Sequence, residues 1–252
     1  MKNYSKIDII LPVYNSKNFI FHTINSIIRQ TYKNWKLIIV DDKSNDGTRE
    51  LIEKFIRSNK YKRKFLFIKN DKNIGQGLAR NVALKKTNSK YVAFIDSDDI
   101  WEKNKLKKQI NFMIDNQYDF TYTDFISFKK KKKKIIITPN SYNYASFINN
   151  TSIATSTMIL EKKILNNIFF PSLRLCEDYY FKCQILRKTI SYRCPKVYSF
   201  YRLRNNSLQS SRMKVLFAVW NINKKLNKIG FIYNLISIFL ISYNSLKKYG
   251  FR

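Results

Sequence analysis

The stretch YVAFIDSDDIW, residues 91–101, decides the fold. Its first five residues are aromatic or aliphatic, which predicts a buried strand. Three carboxylates follow within four positions, at Asp96, Asp98 and Asp99. Ligands bind beyond the carboxyl ends of strands in open α/β sheets, so this acidic turn is the first candidate for a functional site.

The sequence of the acidic turn leaves two interpretations open. Carboxylates this close repel one another unless a cation lies among them. Oxygen ligands suit Mg²⁺ or Mn²⁺, and Mg²⁺ keeps several waters and takes further ligands from substrate phosphates. The alternative is structural, because Asp98 or Asp99 can cap a helix that begins near Lys103, and short Asp-rich turns are common.

Length and composition predict one folded domain, or one domain with an appendage. The 252 residues are 44% hydrophobic and 15% aromatic, enough to bury a substantial core. Three cysteines without metal-ligand spacing indicate a reducing compartment and no disulfide framework. The first residues run from a basic start straight into a polar turn, so we expect no signal peptide.

The net charge of +31 suggests an anionic partner, either nucleic acid or an anionic membrane surface. Lysine is accompanied by abundant asparagine and isoleucine, so part of the excess reflects a bias of the whole sequence. No Arg-rich arm, zinc-finger spacing or aromatic RNA-binding signature occurs, and we expect no nucleic-acid partner. Six consecutive lysines at 129–134 form either a solvated hairpin tip or a contact with anionic lipid.

Strands and helices alternate through the first half of the chain. This alternation with short connections is typical of a parallel sheet with crossover helices. The apolar runs at 7–13, 35–40, 65–68 and 91–95 predict strands, and 19–29, 49–57, 78–86 and 105–116 predict helices. Farther on, 119–128 alternates like an antiparallel strand that 135–138 can pair with, 156–160 and 196–201 predict strands, and 175–187 predicts a helix.

The C-terminal segment, residues 211–252, is predicted to form amphipathic helices, the first over 213–229. Residues 231–243, FIYNLISIFLISY, are strongly apolar but reach only about half to two-thirds of the ~20 residues that a membrane span needs. Asn234, Ser237 and Asn244 form a polar stripe at helical spacing, and lysines flank the segment. An interfacial helix on a membrane fits better than a spanning one, and a helix packed on the protein's own core is the alternative.

Polar turns also follow the first two predicted strands, beside the acidic turn. Tyr14 offers a stacking face, Asp42 an acceptor for a base or ribose, and Asp98 with Asp99 a metal site. These groups together describe a site for a nucleoside diphosphate. Neither GxGxxG after the first strand nor GxxxxGK[ST] occurs, which argues against a dehydrogenase-type dinucleotide fold and a P-loop protein.

Five motifs in this order resemble family 2 glycosyltransferases of the GT-A fold. They are PVYN at 12–15, VDDKSNDGT at 40–48, NIG at 73–75 with ARN at 79–81, DSDD at 96–99, and ED at 177–178. The resemblance covers about residues 5–210 and extends to bacterial enzymes that build O-antigen, capsule or related surface polysaccharides. It implies an α/β fold of GT-A type: a Rossmann-like, mostly parallel sheet with flanking helices, a small antiparallel acceptor-side region and C-terminal helices.

The resemblance implies a domain over 1–210, with a nucleotide-sugar half at 1–117 and an acceptor half at 118–210. Amphipathic helices at 211–252 would follow, and we expect them to associate with a membrane surface. The implied reaction is a metal-dependent, inverting transfer of a sugar from a nucleotide sugar, most often a UDP-sugar, to a saccharide hydroxyl. An acceptor linked to undecaprenyl diphosphate, on the inner face of the cytoplasmic membrane, makes sense of the basic surface and the apolar tail.

The resemblance also implies roles on the nucleotide side. Pro12, Tyr14 and Asp42 would hold the base, Arg80 would support the nucleotide, Asp98 would bind ribose or metal, and Asp99 would bind Mn²⁺ or Mg²⁺ itself. Loss of activity without loss of folding is therefore expected for Asp99→Ala.

On the acceptor side, Asp178 would be the catalytic base. An acceptor hydroxyl must lose its proton as it attacks, and apolar neighbours such as Leu175 and Tyr179 would raise the pKa of Asp178 to suit that task. Arg204 and Ser207 are candidates for a loop that stabilises the departing diphosphate.

Two other classes of protein are alternatives. A haloacid dehalogenase-type phosphotransferase would use a strand-end pair such as Asp96 and Asp98, but Ile100 stands where such enzymes usually have Thr, and their motif normally follows the first strand. A non-catalytic basic protein could bind nucleic acid or membrane through its lysines. Carboxylates at three strand ends argue against it, because without a metal they would repel phosphate. The donor sugar, acceptor and linkage depend on side chains from several loops, so the sequence leaves them open.

Overall fold

The computed structural model describes residues 5–129, 132–203 and 211–249. The strands in these residues are β1 (Ile7–Val13), β2 (Trp35–Asp41), β3 (Phe65–Lys69), β4 (Tyr91–Phe94), β5 (Ile100–Trp101), β6 (Phe120–Lys129), β7 (Lys132–Ile136), β8 (Ser141–Tyr142), β9 (Ile159–Glu161) and β10 (Ser191–Arg202). The helices are α1 (Ile20–Ile28), α2 (Thr48–Ser58), α3 (Gln76–Leu84), α4 (Lys105–Asp115), α5 (Tyr144–Phe147), α6 (Glu177–Leu186), α7 (Arg212–Lys225) and α8 (Phe231–Tyr249).

The first four strands form the parallel half of a single sheet, in the order β3-β2-β1-β4. Parallel neighbours need crossover connections, which α1, α2 and α3 supply. Ile7 pairs with both Trp35 and Tyr91, so β1 lies at the centre of this half. The prediction of a parallel sheet with crossover helices is confirmed, and it brings the polar ends of β1, β2 and β4 to one edge.

The second half of the sheet is mixed. β9 pairs antiparallel with β4 and β6. β7 pairs antiparallel with β6 as predicted, but it begins at Lys132 inside the lysine run and ends at Ile136, earlier than the predicted 135–138 strand. The prediction that β6 is an antiparallel strand is wrong for its other neighbour, because β10 runs parallel to it. The strand predicted at 156–160 is shorter than expected, since Thr155–Thr157 forms a 3₁₀ turn before β9 begins.

Both faces of the sheet are covered, which explains why the strands have continuous apolar sequences and not alternating ones. In β1, Ile9 and Leu11 contribute to the core under α1 and α4, whereas Ile10 contributes to the core under α3 and α6. This sandwich of helix, sheet and helix positions the loops at the carboxyl end of the sheet.

The C-terminal helices pack against the core through one side. Val219 and Ile222 of α7 and Ile241 of α8 are buried in the same apolar cluster as Phe181 of α6. The alternative that the helix over 231–243 packs on the protein's own core is therefore confirmed for the side of α8 that carries Ile241. Across the ranges that the structure describes, none of the helices combines the length and the apolar character needed to cross a bilayer.

Candidate active site

A cavity of about 1030 Å³ opens beyond the carboxyl ends of β1, β2 and β4. Its volume suits a ligand of substantial size. The predicted site residues on its wall are Pro12, Tyr14, Asp42, Arg80, Asp98 and Asp178. Asp99 does not line the cavity, and Arg204 and Ser207 lie outside the described residues.

Asp42 organises the nucleotide side of the cavity. Its carboxylate accepts hydrogen bonds from the backbone amides of Ile74 and Gly75, at 3.0 and 2.8 Å, and from the side-chain amide of Asn70 at 2.9 Å. Gly75 has a φ of +93°, a conformation that side-chain-bearing residues rarely adopt. Asp42 therefore holds the loop after β3 in place, and the exposed ring of Tyr14 lines the same cavity.

The acidic turn divides its carboxylates between the cavity and the protein interior. Asp96 and Asp98 line the cavity. The buried Asp99 carboxylate instead accepts hydrogen bonds from the Ser156 hydroxyl at 2.5 Å and from the Arg202 backbone amide at 3.0 Å. Burial, together with the charges of Asp98 and Asp96, raises the pKa of Asp99 well above its usual range. Asp99 thus joins the turn to β10 and to the 3₁₀ turn before β9.

The carboxylates at the cavity wall suit a cation that takes only one or two ligands from the protein. Within 5–129, 132–203 and 211–249, no three His, Cys, Asp or Glu side chains surround a common point. Magnesium in phosphate-binding sites commonly uses one or two carboxylates and completes its shell with substrate phosphates. Asp98 offers such a carboxylate at the cavity wall. Asp99, the expected ligand, reaches the cavity only if it gives up its bonds to Ser156 and Arg202.

Arg80 is a buried cation between the acidic turn and helix α6. Its guanidinium donates to Asp96 at 2.6 Å and to Glu177 at 2.9 Å, and it lies over the ring of Phe170. The sequence assigned Arg80 to the nucleotide side but gave no sign of the pairing with Glu177. The two ion pairs fix the start of α6, and with it Asp178, relative to the acidic turn.

Gly77 makes this pairing possible. A Cβ atom on Gly77 would lie 2.6 Å from Cγ of Glu177, closer than nonbonded carbon atoms approach. The absence of a side chain therefore lets Glu177 lie against α3 and reach Arg80. Any larger residue at this position would push the carboxylate away.

Asp178 forms an ion pair within its own helix. Lys182, one turn later in α6, donates from Nζ to Oδ2 of Asp178 at 2.6 Å, and the Thr155 hydroxyl donates to the same oxygen at 3.1 Å. Burial by itself would raise the pKa of Asp178, but Lys182, Arg80 and Thr155 outweigh it and lower the pKa to about 2. The expectation that apolar neighbours raise this pKa is wrong, because it overlooked the buried lysine four positions on.

The low pKa of Asp178 keeps its carboxylate ionised throughout the neutral range. Both described hydrogen bonds end on Oδ2, and the residue lines the cavity. Lys182 and Thr155 thus orient a charged carboxylate whose other oxygen can accept a proton. The spacing of Asp178 and Lys182 is visible in the sequence EDYYFK and could have indicated the ion pair.

Basic residues that the sequence reasoning missed also line the cavity. They are Lys129, Arg174, Arg202, Arg212 and Lys248. The Arg174 guanidinium donates to the Asn73 side chain at 2.8 Å, and Nε of Arg202 donates to the backbone oxygen of Asp98 at 3.0 Å. Lys248 donates to the Ser152 hydroxyl, and burial lowers its pKa to about 8. These residues make the cavity suitable for an anionic ligand.

The helices α7 and α8 therefore contribute to the cavity as well as to the core. Arg212, Val215 and Leu216 of α7 and Ile241, Ser245 and Lys248 of α8 lie on its wall. The predicted boundary at residue 210 stays a prediction, but the C-terminal helices share the cavity with the preceding domain.

The sequence profile described as "Glycosyl transferase family 2" matches residues 8–183, well over half of the chain. The chain belongs to glycosyltransferase family 2. The match starts in β1 and ends inside α6, so it includes the acidic turn and Asp178. This assignment confirms the resemblance drawn from the five motifs and sets aside the phosphotransferase and the non-catalytic alternatives.

Curated relatives of this glycosyltransferase match it over nearly its whole length. It is 30% identical to the putative teichuronic acid biosynthesis glycosyltransferase TuaG of Bacillus subtilis, over 96% of each chain. It is 33% identical to the Escherichia coli UDP-Glc:alpha-D-GlcNAc-diphosphoundecaprenol beta-1,3-glucosyltransferase WfgD, over 97% of this chain and 95% of the relative.

Solved structures of other glycosyltransferases share the fold. S. aureus TarS in complex with UDP-GlcNAc superimposes with a TM-score of 0.71 at 22% identity, covering 96% of this chain and 73% of that one. The chain spans 43% of a longer TarS structure. The Pyrobaculum calidifontis mannosyltransferase PcManGT, in complex with GDP-Man and Mn²⁺, gives 0.73 at 14% identity, with 95% and 70% covered. The predicted GT-A fold is confirmed.

Proposed function

We propose that this glycosyltransferase transfers a sugar, with inversion, from a UDP-sugar to a saccharide linked to undecaprenyl diphosphate, in the synthesis of a bacterial surface polysaccharide. The observation that carries the proposal is that Tyr14, Asp42, Asp98 and Asp178 line one cavity. The names of the relatives support it, since WfgD uses UDP-Glc and a diphosphoundecaprenol acceptor and TuaG is assigned to teichuronic acid biosynthesis.

Asp178 is the proposed base. An acceptor hydroxyl is a poor nucleophile, and a carboxylate within hydrogen-bond reach takes its proton as the oxygen attacks the anomeric carbon. Attack from the side opposite the leaving UDP forms one bond and breaks one, so the configuration inverts. The proton passes to Asp178, which Lys182 and Thr155 hold in an ionised state and in a fixed orientation.

The nucleotide side would bind UDP through Pro12, Tyr14 and Asp42, with Arg80 supporting the acidic turn. Asp98 is the proposed ligand for Mn²⁺ or Mg²⁺, with Asp99 directly behind it. A divalent cation held by Asp98 would neutralise the charge of the departing diphosphate. Arg174 and Arg202 also line the cavity, and they would add positive charge for the same leaving group.

The enzyme is proposed to act on the inner face of the cytoplasmic membrane. A lipid-linked acceptor is confined to the bilayer, and a protein with a net charge of +31 is attracted to anionic lipid headgroups. This attraction concentrates the enzyme where its acceptor lies.

Calorimetric titration with UDP, with and without Mn²⁺, tests the nucleotide site. We expect micromolar binding that requires the metal in the wild-type protein and is lost in Asp98→Ala. Glu50→Ala, which removes an exposed carboxylate from α2, is the matched control and should bind like the wild type. Absence of UDP binding in the wild type, at any metal concentration, would overturn the proposal.

A panel of UDP-sugars then identifies the donor, and NMR of the product determines its anomeric configuration. From an α-linked donor we expect a β-linked product. A product with retained configuration would contradict the role proposed for Asp178, because a single displacement cannot produce it.

A further inference from the structure

The inward side of helix α8 carries the polar residues Asn234 and Ser237 beside the apolar Ile241, and the opposite side exposes large apolar residues. Asn234 and Ser237 are 1% and 0% exposed. The residues on the opposite side are apolar and 47–74% exposed, namely Phe231, Ile232, Tyr233, Leu235, Ile236, Phe239 and Tyr243. A surface helix usually turns its apolar side toward the core, whereas α8 leaves these seven large apolar residues exposed.

A polar network holds α8 in this orientation. The side-chain amide of Asn223, on α7, donates to Asn234 at 3.0 Å and to the hydroxyl of Ser237 at 3.3 Å. Ser237 in turn donates to the backbone oxygen of Ile148 at 2.6 Å, and Tyr179 donates to Asn223 at 2.6 Å. A rotation of α8 that buried its apolar side would leave these buried groups without partners, which is costly. The apolar side is therefore fixed outward.

The neighbouring helix α7 extends the exposed apolar surface. Phe217 is exposed, and the rings of Trp220 and Phe231 are in contact at 5.6 Å between centroids. We call the exposed apolar residues of α7 and α8 that lie outside the cavity wall the outer face: Phe217, Phe231, Ile232, Tyr233, Leu235, Ile236, Phe239 and Tyr243. Soluble monomers rarely expose a contiguous apolar patch of this kind without a partner.

The charges around the outer face indicate what covers it. Residues 211–252 contain no Asp or Glu. Exposed lysines accompany the outer face on the two helices and the connection between them, at Lys214, Lys224, Lys225, Lys228 and Lys247. Apolar side chains bordered by lysines match the acyl boundary and the anionic headgroups of a bilayer. The same face on a second copy carries the same positive charge and would repel it.

The two helices connect this surface to the cavity. Arg212 and Leu216 of α7 and Ser245 and Lys248 of α8 line the cavity, whereas the residues of the outer face are exposed and lie outside the cavity wall. We propose that the outer face docks on an anionic bilayer and places the acceptor side of the cavity beside the lipid headgroups. This inference rests on the proposed function for its lipid-linked acceptor, but the docking itself needs no substrate.

Flotation of the full chain with lipid vesicles tests the docking. The probes are vesicles of phosphatidylcholine alone and of phosphatidylcholine mixed with phosphatidylglycerol. The test variant is Ile232→Gln/Tyr233→Gln/Phe239→Gln, which changes side chains that are 70%, 74% and 69% exposed. The matched control, Ile114→Gln/Phe169→Gln/Ile190→Gln, changes three exposed apolar residues elsewhere, at 42–44% exposure.

We expect the wild type and the control to bind the anionic vesicles and the test variant to bind at least tenfold more weakly. Equal binding by the test variant and the control, or no binding by the wild type, would overturn the proposal. A wild-type dimer that the test variant converts to a monomer would also overturn it, because the outer face would then join two copies.

UDP titration of the same proteins separates this inference from the proposed function. We expect all three to bind UDP equally, since the altered residues lie outside the cavity wall. Vesicle binding without UDP binding would support the docking surface and remove the proposed activity. UDP binding without vesicle binding would support the proposed nucleotide site and overturn the docking surface.

Discussion

The guanidinium of Arg80 lies 2.9 Å from the carboxylate of Glu177, although the two residues are 97 positions apart. The same guanidinium donates to Asp96 in the acidic turn at 2.6 Å. One buried cation therefore connects the turn after β4, which faces the nucleotide side, to the helix that carries the proposed base. The relative position of the two sides of the cavity depends on this connection.

Replacement of Arg80 by methionine should destabilise the protein strongly. The change leaves Asp96 and the buried Glu177 without their cation, and loss of one partner of a buried ion pair typically costs about 3–5 kcal/mol. Urea unfolding measures the effect. Arg57→Met is the matched control, because Arg57 is 81% exposed in its pair with Glu53 and should contribute less than about 1 kcal/mol. Equal losses in the two variants would contradict a structural role for the Arg80 bridge.

Replacement of Lys182 by methionine should raise the pKa of Asp178. Without the ammonium group, burial disfavours the carboxylate, whereas in the wild type the pKa is about 2. The acid limb of the pH profile of kcat/KM should therefore move to higher pH in Lys182→Met. Lys188→Met, at an exposed lysine just beyond α6, should leave the profile unchanged. An unshifted profile in Lys182→Met would show that Asp178 does not titrate in the reaction.

The same ion pair predicts how stability depends on pH. A carboxylate whose pKa is lowered on folding contributes stability above its unfolded value, which is 3.8, and loses it as the pH falls toward 2. Lys182→Met should therefore lose part of its stability at pH 7, and it should lose less than the wild type on further acidification to about pH 2. Thermal unfolding between pH 7 and about pH 2, with Lys188→Met as reference, shows whether Lys182→Met loses less stability on acidification than the wild type.

Asp98 and Asp99 should lose different properties on replacement by alanine. Asp99→Ala leaves the Ser156 hydroxyl and the Arg202 amide without their acceptor, and an unsatisfied buried group costs about 1–3 kcal/mol. Asp98→Ala should lose metal-dependent UDP binding, because Asp98 lines the cavity and is the proposed metal ligand. This revises the expectation that Asp99→Ala folds normally. Thermal unfolding and UDP titration of both variants decide the matter, and a fully stable Asp99→Ala would contradict the structural role.

Lys248 should contribute to acceptor binding. It lines the cavity from α8, where a diphosphate-linked acceptor would need a cation. With a short-chain, water-soluble acceptor diphosphate, Lys248→Met should raise the KM for acceptor several-fold and leave the UDP affinity unchanged. Lys247→Met changes the adjacent, exposed lysine and should leave both unchanged. Equal KM values for the two variants would remove Lys248 from the acceptor site.

Much of the sheet could be predicted because short stretches of sequence identify its strands. The runs in β1, β2 and β4 are apolar and end in polar turns, so both the strands and the edge where Tyr14, Asp42 and Asp98 meet follow from short stretches of sequence. The two-residue β5 and the parallel pairing of β6 with β10 could not be found this way. They depend on segments that are distant in the chain.

The site was harder to predict where one contact decides the direction of a side chain. Asp98 and Asp99 are adjacent in sequence, and only the position of Ser156 and Arg202 sends Asp99 inward. The pairing of Arg80 with Glu177 needs Gly77 beside it, which no local pattern reveals. The polar stripe of α8 was recognised correctly, but its inward direction depends on Asn223 of another helix.

The measurement that tests the central claim most directly is sugar transfer by Asp178→Asn. Removal of a general base typically slows the reaction about 100- to 10,000-fold. We therefore expect kcat to fall by that order while calorimetry gives an unchanged affinity for UDP, which also shows that the variant is folded. Transfer at the wild-type rate by an Asp178→Asn protein that binds UDP normally would contradict the assignment of Asp178 as the base.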